Sequence, residues 1–557
     1  MTENLAALEA FGLAVVLDGR GRHVEAAQNY RRALDIAPDF AEAHYNLANL
    51  YQTSGLLDEA DPHYRAIPPD HPLAARAACN LGSLLARRDR AEEAAASFTR
   101  ALEAEPGLAQ ARYGLARALL RLGRAEEAAE NFRLMMVTQA THVEAREGLG
   151  RALLDMGRLE EAANQFRKVV EARPDDGAAR AGLGRILARQ GRFDEAERHL
   201  RKALDLDPAN ARRHADLGFL RRIEGRLGEA VAAYRSATLL AADDLDLRRE
   251  LATTLLARGD FREGWEEFEA RLRHGGDRDE EAVSWNGEDA AGRTLLVRAE
   301  GGAGDLIQFV RYLPLLADMG ARVLLSCPAG MIPLMSSVGG VSKVVDARDP
   351  RPLFDAQVPL MSLPRLLGTN LATIPASVPY LAPDPDLVAR WGERLKRTDG
   401  ALRVGVVWKD DTPGRRDDAR SVPAEVMARM SGLSGVALYP LQRGSPFAGA
   451  RGRAPTVDLG PDLDADPDGG AVPWMDLAAV MVHMDLVVSV DSPMAHLAGA
   501  LGRPTWIFLA FSADWRWLQG RSDSPWYPTA RLFRQPEPGD WNGAMTHLVA
   551  ALHDLHR

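Results

Sequence analysis

Cysteine is almost absent from this 557-residue chain: only Cys79 and Cys327 occur, far apart and with no close spacing. That excludes a disulfide framework and a thiolate metal site, and it predicts a reducing, cytoplasmic setting. Long apolar runs are missing too, so no segment reads as a membrane span. The opening Met1-Thr2-Glu3-Asn4 lacks the basic start of a secretion signal. There is no excess of positive charge: 68 Lys and Arg against 78 Asp and Glu leave a formal net charge of −10. A broad nucleic-acid or anionic-membrane surface is therefore not expected. Proline is scarce in the first half, with 8 of 33 before residue 279, which predicts different architectures for the two halves. The length calls for two or three folding units, and 46% hydrophobic with 26% charged residues is the composition of a globular chain.

What the first half contains is a repeat. Pro38, Pro72, Pro106, Pro174 and Pro208 are separated by 34 residues or multiples of it. So are Gly21, Gly55, Gly123, Gly157, Gly191, Gly225 and Gly259, and the alanines from Ala26 and Ala60 to Ala196 and Ala230. This is the period of the tetratricopeptide repeat, a helical hairpin with small residues at the close approach and proline ending the second helix. About eight units fit between residues 7 and 278, with Leu81, Leu85 and Phe98 as core positions of one of them. Stacked hairpins form an extended groove suited to a polypeptide, so a protein partner is expected. The sixth position of the units, expected to face that groove, reads Gly12, Asn46, Asn80, Gly114, Gly148, Gly182, Asp216 and Glu250. The architecture resembles the repeat-bearing O-GlcNAc transferases, whose asparagine ladder holds an extended peptide. Here Asn46 and Asn80 provide at most a short version. In the last unit Gly264 is followed by Trp265, Phe268 and Leu272, which reads as a cap or a junction with the next domain.

From residue 293 short apolar runs alternate with glycine-bearing loops and amphipathic segments, the pattern of strands and helices around parallel sheets. Thr294 to Val297 is a predicted strand, Glu300 to Asp305 a loop, and Leu306 to Asp318 a helix. A second series runs through Arg403 to Trp408, Val436 to Tyr439, Leu486 to Val488 and Thr505 to Phe508. The proline-rich stretch from Ile374 to Pro383 reads as an extended linker between two open-sheet units, whose cleft is the expected site.

Two segments carry candidate chemistry. Gly301 to Gly304 is a glycine loop without the Lys-Ser/Thr of a Walker loop or the spacing of a dinucleotide fingerprint, and Asp305 after it is either a functional carboxylate or a helix cap. In Ser489-Val490-Asp491-Ser492-Pro493-Met494-Ala495-His496, proline suits a first helical turn. Amides at that turn, the Ser492 hydroxyl and His496 could hold a phosphate while Asp491 accepts from a sugar hydroxyl; an Asp or Ser cap with a histidine on the helix face is the equal alternative. Asp464-Ala465-Asp466 and Asp466-Pro467-Asp468 have the Asp-x-Asp form but lie in an acidic, loop-like stretch. The segment Asp514-Trp515-Arg516-Trp517, followed by Arg521, Asp523, Ser524, Pro525, Trp526 and Tyr527, could stack on a sugar and pair with an acidic donor group, or close the domain as an aromatic plug. His547, His553 and His556 are spaced along a final helix and are expected to face solvent.

Glu300 to Tyr312, Arg403 to Trp408, Arg420-Ser421, Leu441-Gln442, Asp485 to Pro504 and Asp514 to Gln535 together resemble bacterial tetratricopeptide-repeat proteins with a heptosyltransferase-like GT-B glycosyltransferase domain. The resemblance extends to bacterial flagellin glycosyltransferases. It implies an α-solenoid followed by an α/β GT-B domain of two Rossmann-like lobes: repeats over 1–278, an acceptor-side lobe over 279–384 and a nucleotide-sugar lobe over 385–557. It further implies an inverting enzyme that uses no metal and no cofactor beyond its donor. Asp305 would be the catalytic base. Arg420, Ser421, Gln442, Asp491, Ser492, Met494, Ala495 and His496 would bind donor and phosphate, with Lys409 near Arg420. Arg516 and Arg521 would contact the sugar, and Asn46 and Asn80 the protein acceptor. The implied activity is O-glycosylation of Ser or Thr on a recruited protein, with flagellin and a CMP-linked nonulosonic acid the best single guess; ADP-heptose or UDP-hexosamine are the other donors. A lipopolysaccharide or polysaccharide transferase and a non-catalytic scaffold are the alternatives.

Overall fold

The computed structural model describes residues 2–138, 141–273, 283–350, 352–395, 401–410, 420–442, 447, 454–460, 463 and 473–555. Asp464, Asp466, Asp468 and His556 lie outside the described residues, as does the expected junction at 278–279. The chain divides into two compact units, Met1–Leu187 and Ala188–Arg557.

In the first unit helices pair in sequence order, from Thr2–Gly19 with His23–Ile36 to Val143–Asp155 with Leu159–Ala172. The 34-residue glycines have a backbone reason: Gly21, Gly55, Gly123 and Gly157 adopt φ of 71° to 80°, the left-handed turn that ends one helix and admits the next. Asp89 takes the same place at φ 57°, and aspartate is among the few side chains that tolerate it. The next helix repeatedly opens with an Arg–Glu pair three residues apart, as in Arg22–Glu25, Arg90–Glu93, Arg124–Glu127 and Arg158–Glu161. The glutamate thereby sits in the first turn, where the helix dipole favours a negative charge. Ala26, Ala60, Ala94, Ala128 and Ala162 are wholly buried at the close approach.

The sixth position of the repeat faces the aromatic side chain sixteen residues before it. A Cβ on Gly114 would lie 2.4 Å from the Phe98 ring, one on Gly148 2.3 Å from Phe132, and one on Gly182 2.6 Å from Phe166. Where the ring is Tyr30 or Tyr64 the residue is asparagine, Asn46 or Asn80, whose amide partly offsets the burial that raises the phenol's pKa. Asn80 also donates to Asn49 (2.8 Å), to which the Tyr64 hydroxyl donates as well (2.6 Å). Asn46 and Asn80 are half-buried and engaged within the repeats.

The second unit begins with four more hairpin helices, Phe193–Leu206, Ala211–Ile223, Leu227–Leu240 and Leu245–Arg258, and the shorter Phe261–Phe268. Two parallel sheets follow. The first contains β1 (Thr294–Arg298), β2 (Arg322–Cys327), β3 (Val341–Asp346) and β4 (Ala356–Pro359) in the order β3-β2-β1-β4. The second contains β5 (Leu402–Val407), β6 (Val436–Pro440), β7 (Leu486–Val490), β8 (Thr505–Leu509) and β9 (Ala530–Arg534) in the order β6-β5-β7-β8-β9. Helical repeats are thus followed by two Rossmann-like α/β sheets, as expected. β7 and β8 are buried throughout, which is why they read as unbroken apolar runs. The predicted 306–318 helix is broken into Ala303–Phe309, a 3₁₀ turn over Val310–Tyr312 and Leu313–Asp318. Pro314 in the first turn of the last piece has no N–H to continue the ladder. The Ile374 to Pro383 stretch is extended, and Tyr380 donates its N–H to Ala500 O (3.0 Å).

The ring contact gives Gly148→Ala and Gly12→Ala opposite signs. Gly12 has nothing within 4 Å of where a Cβ would sit, so alanine there should stabilise by about 0.5–1 kcal/mol through helix propensity. Gly148→Ala should destabilise by about 1–3 kcal/mol because the Phe132 ring must move. Urea denaturation of both variants measures the difference.

Candidate functional site

In each sheet the strand order reverses once, between β1 and β4 in the first and between β5 and β7 in the second. Loops leaving the carboxyl ends of strands at such a reversal diverge and leave a crevice. Asp305 follows β1, Arg420 follows β5, and Asp491 follows β7. The candidate residues therefore arise at the two reversals.

The two motif segments touch. A Cβ on Gly304 would fall 3.1 Å from His496 Cδ2 and 3.5 Å from Pro493 Cα. Glycine at 304 is thus what lets the first turn of the Ala303–Phe309 helix seat against the first turn of Pro493–Ala500.

A chain of alternating charge runs through this contact. Asp305 Oδ2 accepts the Gly302 N–H (2.8 Å), so the carboxylate does cap its helix, while Oδ1 accepts from Arg516. Arg516 also donates to Gln308 Oε1 (2.6 Å) and to Asp514 Oδ1 (2.8 Å), and its guanidinium stacks on Trp515. Arg420 then bridges Asp514 (3.3 Å) and Asp491 (3.2 Å). Asp305 is the most open member, with its side chain 25% exposed against 9% for Asp491.

Burial and neighbouring charge set the protonation states. Burial alone would raise Asp514, but Arg516 and Arg420 outweigh it and hold its carboxyl well below the usual carboxylate range. Asp491 moves the other way: burial pushes it up, and Arg420 only partly opposes that. Burial also disfavours the charge on Arg516, yet Asp514 and Asp305 keep its pKa raised. His496 is pushed down to about 3 by burial, with Arg516 adding to the effect, so its imidazole is neutral at physiological pH. Its Nδ1 lies 2.9 Å from the Tyr527 hydroxyl, and the ring stacks on Trp517 at 5.3 Å.

The remaining expected residues fall in two groups. Gln442 Oε1 accepts the N–H groups of Trp408 (2.7 Å) and Lys409 (3.1 Å), and Ser421 Oγ accepts from Asp410 (3.3 Å); both shape the exit of β5. Ser492 is the N-cap residue of the Pro493–Ala500 helix without a side-chain cap bond, and its hydroxyl meets Ser489 Oγ at 3.2 Å. Met494 is half-buried and Ala495 buried in that helix. Arg521 is bidentate to Asp523 (2.8 and 2.6 Å) rather than joined to the charge chain. His547 and His553 are exposed.

Sequence reading missed Gln308 and Arg311. Arg311 is 3% exposed, donates to Trp526 O (2.5 Å) and the Tyr380 hydroxyl (2.8 Å), and packs on the rings of Tyr380 and Tyr527. It ties the helix that carries Asp305 to the loop after the second sheet's β8. The signal was present: a glutamine and an arginine interrupt the apolar run Leu306-Ile307-Gln308-Phe309-Val310-Arg311.

Comparison with known proteins agrees with this layout. Tetratricopeptide repeat models match residues 45–109, 79–135 and 148–211, and a further TPR repeat model matches 20–55. The model described as glycosyltransferase family 9 (heptosyltransferase) matches 473–508, the stretch from the Trp474–Met481 helix through β7, the Asp491 turn and the Pro493–Ala500 helix to β8. The chain is thus similar to tetratricopeptide-repeat proteins over its first half and to heptosyltransferases over 473–508. Among curated proteins it is similar to Protein FlbA of Caulobacter vibrioides, 28% identical over 333 residues, 55% of this chain and 54% of FlbA. The chain thus spans about half the length of that relative. Similar solved structures include a thermophilic TPR protein of Thermus thermophilus, 30% identical over 33% of this chain and 99% of that one, with a TM-score of 0.30. Another is a tetratricopeptide repeat protein of Parabacteroides merdae, 18% identical over 45% and 99%, with a TM-score of 0.37. Among the described residues no helix is long and apolar enough to cross a membrane, and no group of three or more His, Cys, Asp or Glu could hold a metal ion.

The neutral His496 links stability to pH. Its folded pKa, about 3, lies below the ordinary 6.5, so the unfolded chain binds the extra proton. The stabilisation is complete above pH 6.5 and is lost as pH falls from there toward 3. His496→Gln should flatten the acid side of the stability curve by up to about 1.4 kcal/mol per pH unit. Urea midpoints between pH 4 and 7 measure the slope; an unchanged slope contradicts a neutral, buried imidazole.

Proposed function

We propose that the chain is a protein O-glycosyltransferase. A nucleotide-sugar donor binds the crevice at the two strand-order reversals, and the repeats recruit the polypeptide whose Ser or Thr hydroxyl accepts the sugar. The observation that carries this reading is that Asp305 is joined through Arg516 to Asp514, and through Asp514 to Arg420, beside the turn that the glycosyltransferase family 9 model covers. Asp305 is the base. It takes the acceptor proton as the hydroxyl oxygen bonds the anomeric carbon, while the bond from that carbon to the donor phosphate oxygen breaks on the opposite face. The product is inverted. Capping does not disqualify Asp305, because a carboxylate has about four lone-pair positions and Gly302 and Arg516 occupy two of them. The departing phosphate is held by Arg420 and by amides at the start of the Pro493–Ala500 helix, with Ser492 beside them. No metal is needed for these steps. Flagellin is the acceptor and a CMP-linked nonulosonic acid the donor, Arg516 pairing with the sugar carboxylate; the site belongs to the cytoplasm, where such donors are made.

Asp305→Asn keeps the shape and removes the base, so turnover should fall about 100- to 10,000-fold while nucleotide binding persists. Turnover near wild type in a folded variant removes Asp305 from the mechanism. Thermal shifts with CDP, CMP, ADP, UDP and GDP identify the nucleotide, since a ligand of the folded state raises apparent stability. The mass of co-expressed flagellin reports the acceptor: a gain of one nonulosonic acid per modified residue is expected. Unchanged flagellin with extended lipopolysaccharide favours the glycan reading instead.

A further inference from the structure

The glycine loop that presents Asp305 has little side-chain packing of its own. Gly301, at φ 74°, Gly302 and Gly304 lie between Glu300 and Asp305, so the loop's conformation depends on how its ends are held. The first end is held by the last repeat. Arg271, in the 3₁₀ turn Glu269–Arg273 that follows the Phe261–Phe268 helix, donates to both Glu300 oxygens (3.1 and 2.7 Å) and to Ser362 Oγ (2.8 Å). Glu300 also accepts the Met361 N–H (3.0 Å), and Glu269 accepts from Arg271 (2.6 Å) and Ser362 (3.0 Å). The exits of β1 and β4, the strands that flank the reversal, are thus joined through one arginine whose side chain is 13% exposed.

The same repeat reaches the other end of the Asp305–Arg516 pair. Trp265 packs edge-on against Trp515 at 5.3 Å and against Phe309 at 6.2 Å. Trp515 precedes Arg516 and lies under its guanidinium, and Phe309 ends the helix whose first turn carries Asp305.

We propose that the terminal repeat belongs to the transfer site, with Arg271 acting through Glu300 and Trp265 acting through Trp515 as positioning residues that set Asp305 against Arg516. The inference rests on the transferase reading of that site. A repeat that served only to recruit a protein would have no need to spend a buried arginine on the residue that opens the reaction loop.

The test uses the full chain with Arg271→Gln and Arg271→Lys, reading both hydrogen exchange over residues 300–306 and kinetics. Arg271→Gln should speed exchange in that segment about tenfold or more, the loss of one hydrogen-bonded tether, while leaving the Leu227–Leu240 helix unchanged. It should lower kcat about 10- to 100-fold with donor KM near wild type, since misplacing a catalytic group costs rate rather than ground-state binding. Arg271→Lys, which keeps a charge and a donor toward Glu300, should recover most of both. Wild-type exchange over 300–306 in folded Arg271→Gln overturns the proposal, and so does a rate loss that only follows the unfolded fraction. A wild-type chain that transfers no sugar defeats the transferase reading alone, and the exchange data then decide whether Arg271 holds the loop.

Discussion

The charge chain Asp305–Arg516–Asp514–Arg420–Asp491 is the constraint on which the second unit depends. Its members come from four loops attached to two sheets, and all but Asp305 are at least four-fifths buried. Removing charges from water costs several kcal/mol each unless partners and hydrogen bonds offset it. Three carboxylates face two guanidiniums, and the imbalance falls on Asp491, which burial pushes toward its protonated form. The neutral His496 adds no charge of its own and acts through shape, filling the place that Gly304 leaves open.

In the repeats the governing interaction is a filled slot. In the first unit one helix presents a ring, and the helix sixteen residues on presents either glycine, which yields the space to phenylalanine, or asparagine, which stands beside tyrosine and partly offsets the burial of its phenol. The pairing explains why both residues change together along the solenoid. In the second unit the pairs become Leu200 with Asp216 and Tyr234 with Glu250. Asp216 is buried and pairs with Arg213 at 3.2 Å.

Much of this was legible because the relevant signals are local. A 34-residue period in glycine, alanine and proline demands a repeated hairpin, and a continuous apolar run such as Leu486-Val487-Val488 demands a strand covered on both faces. The alternation of strands and helices implied two open-sheet units with a cleft between them, whereas the seating of Gly304 against Pro493 and His496 is visible only in the structure. What stayed hidden depends on partners distant in sequence. Nothing near Asn80 tells that Asn49 and Tyr45 accept from it, whereas the pairing of Arg521 with Asp523, two residues on, was within local view. Gln308 and Arg311 could have been noticed as polar residues in an apolar run, but their targets at Arg516, Trp526 and Tyr380 are visible only in three dimensions.

Period and burial also disagree about where the repeats end. By period the hairpins continue to about residue 278, whereas by contact the compact unit that holds both sheets begins at Ala188. The disagreement resolves in the Phe261–Phe268 helix. It keeps the register of a repeat, with Gly264 admitting the Leu256 side chain where a Cβ would lie 2.8 Å from it. Yet Phe261 and Trp265 are buried at 2% and 1% among Trp515, Trp526 and Phe309. An aromatic core shared this way cannot be divided at the end of the repeat pattern without exposing three tryptophans, an apolar surface of several hundred Å² at about 150–250 Å² per aromatic side chain. The second unit is therefore one folding problem, in which the last hairpins supply part of the wall against which the crevice is built.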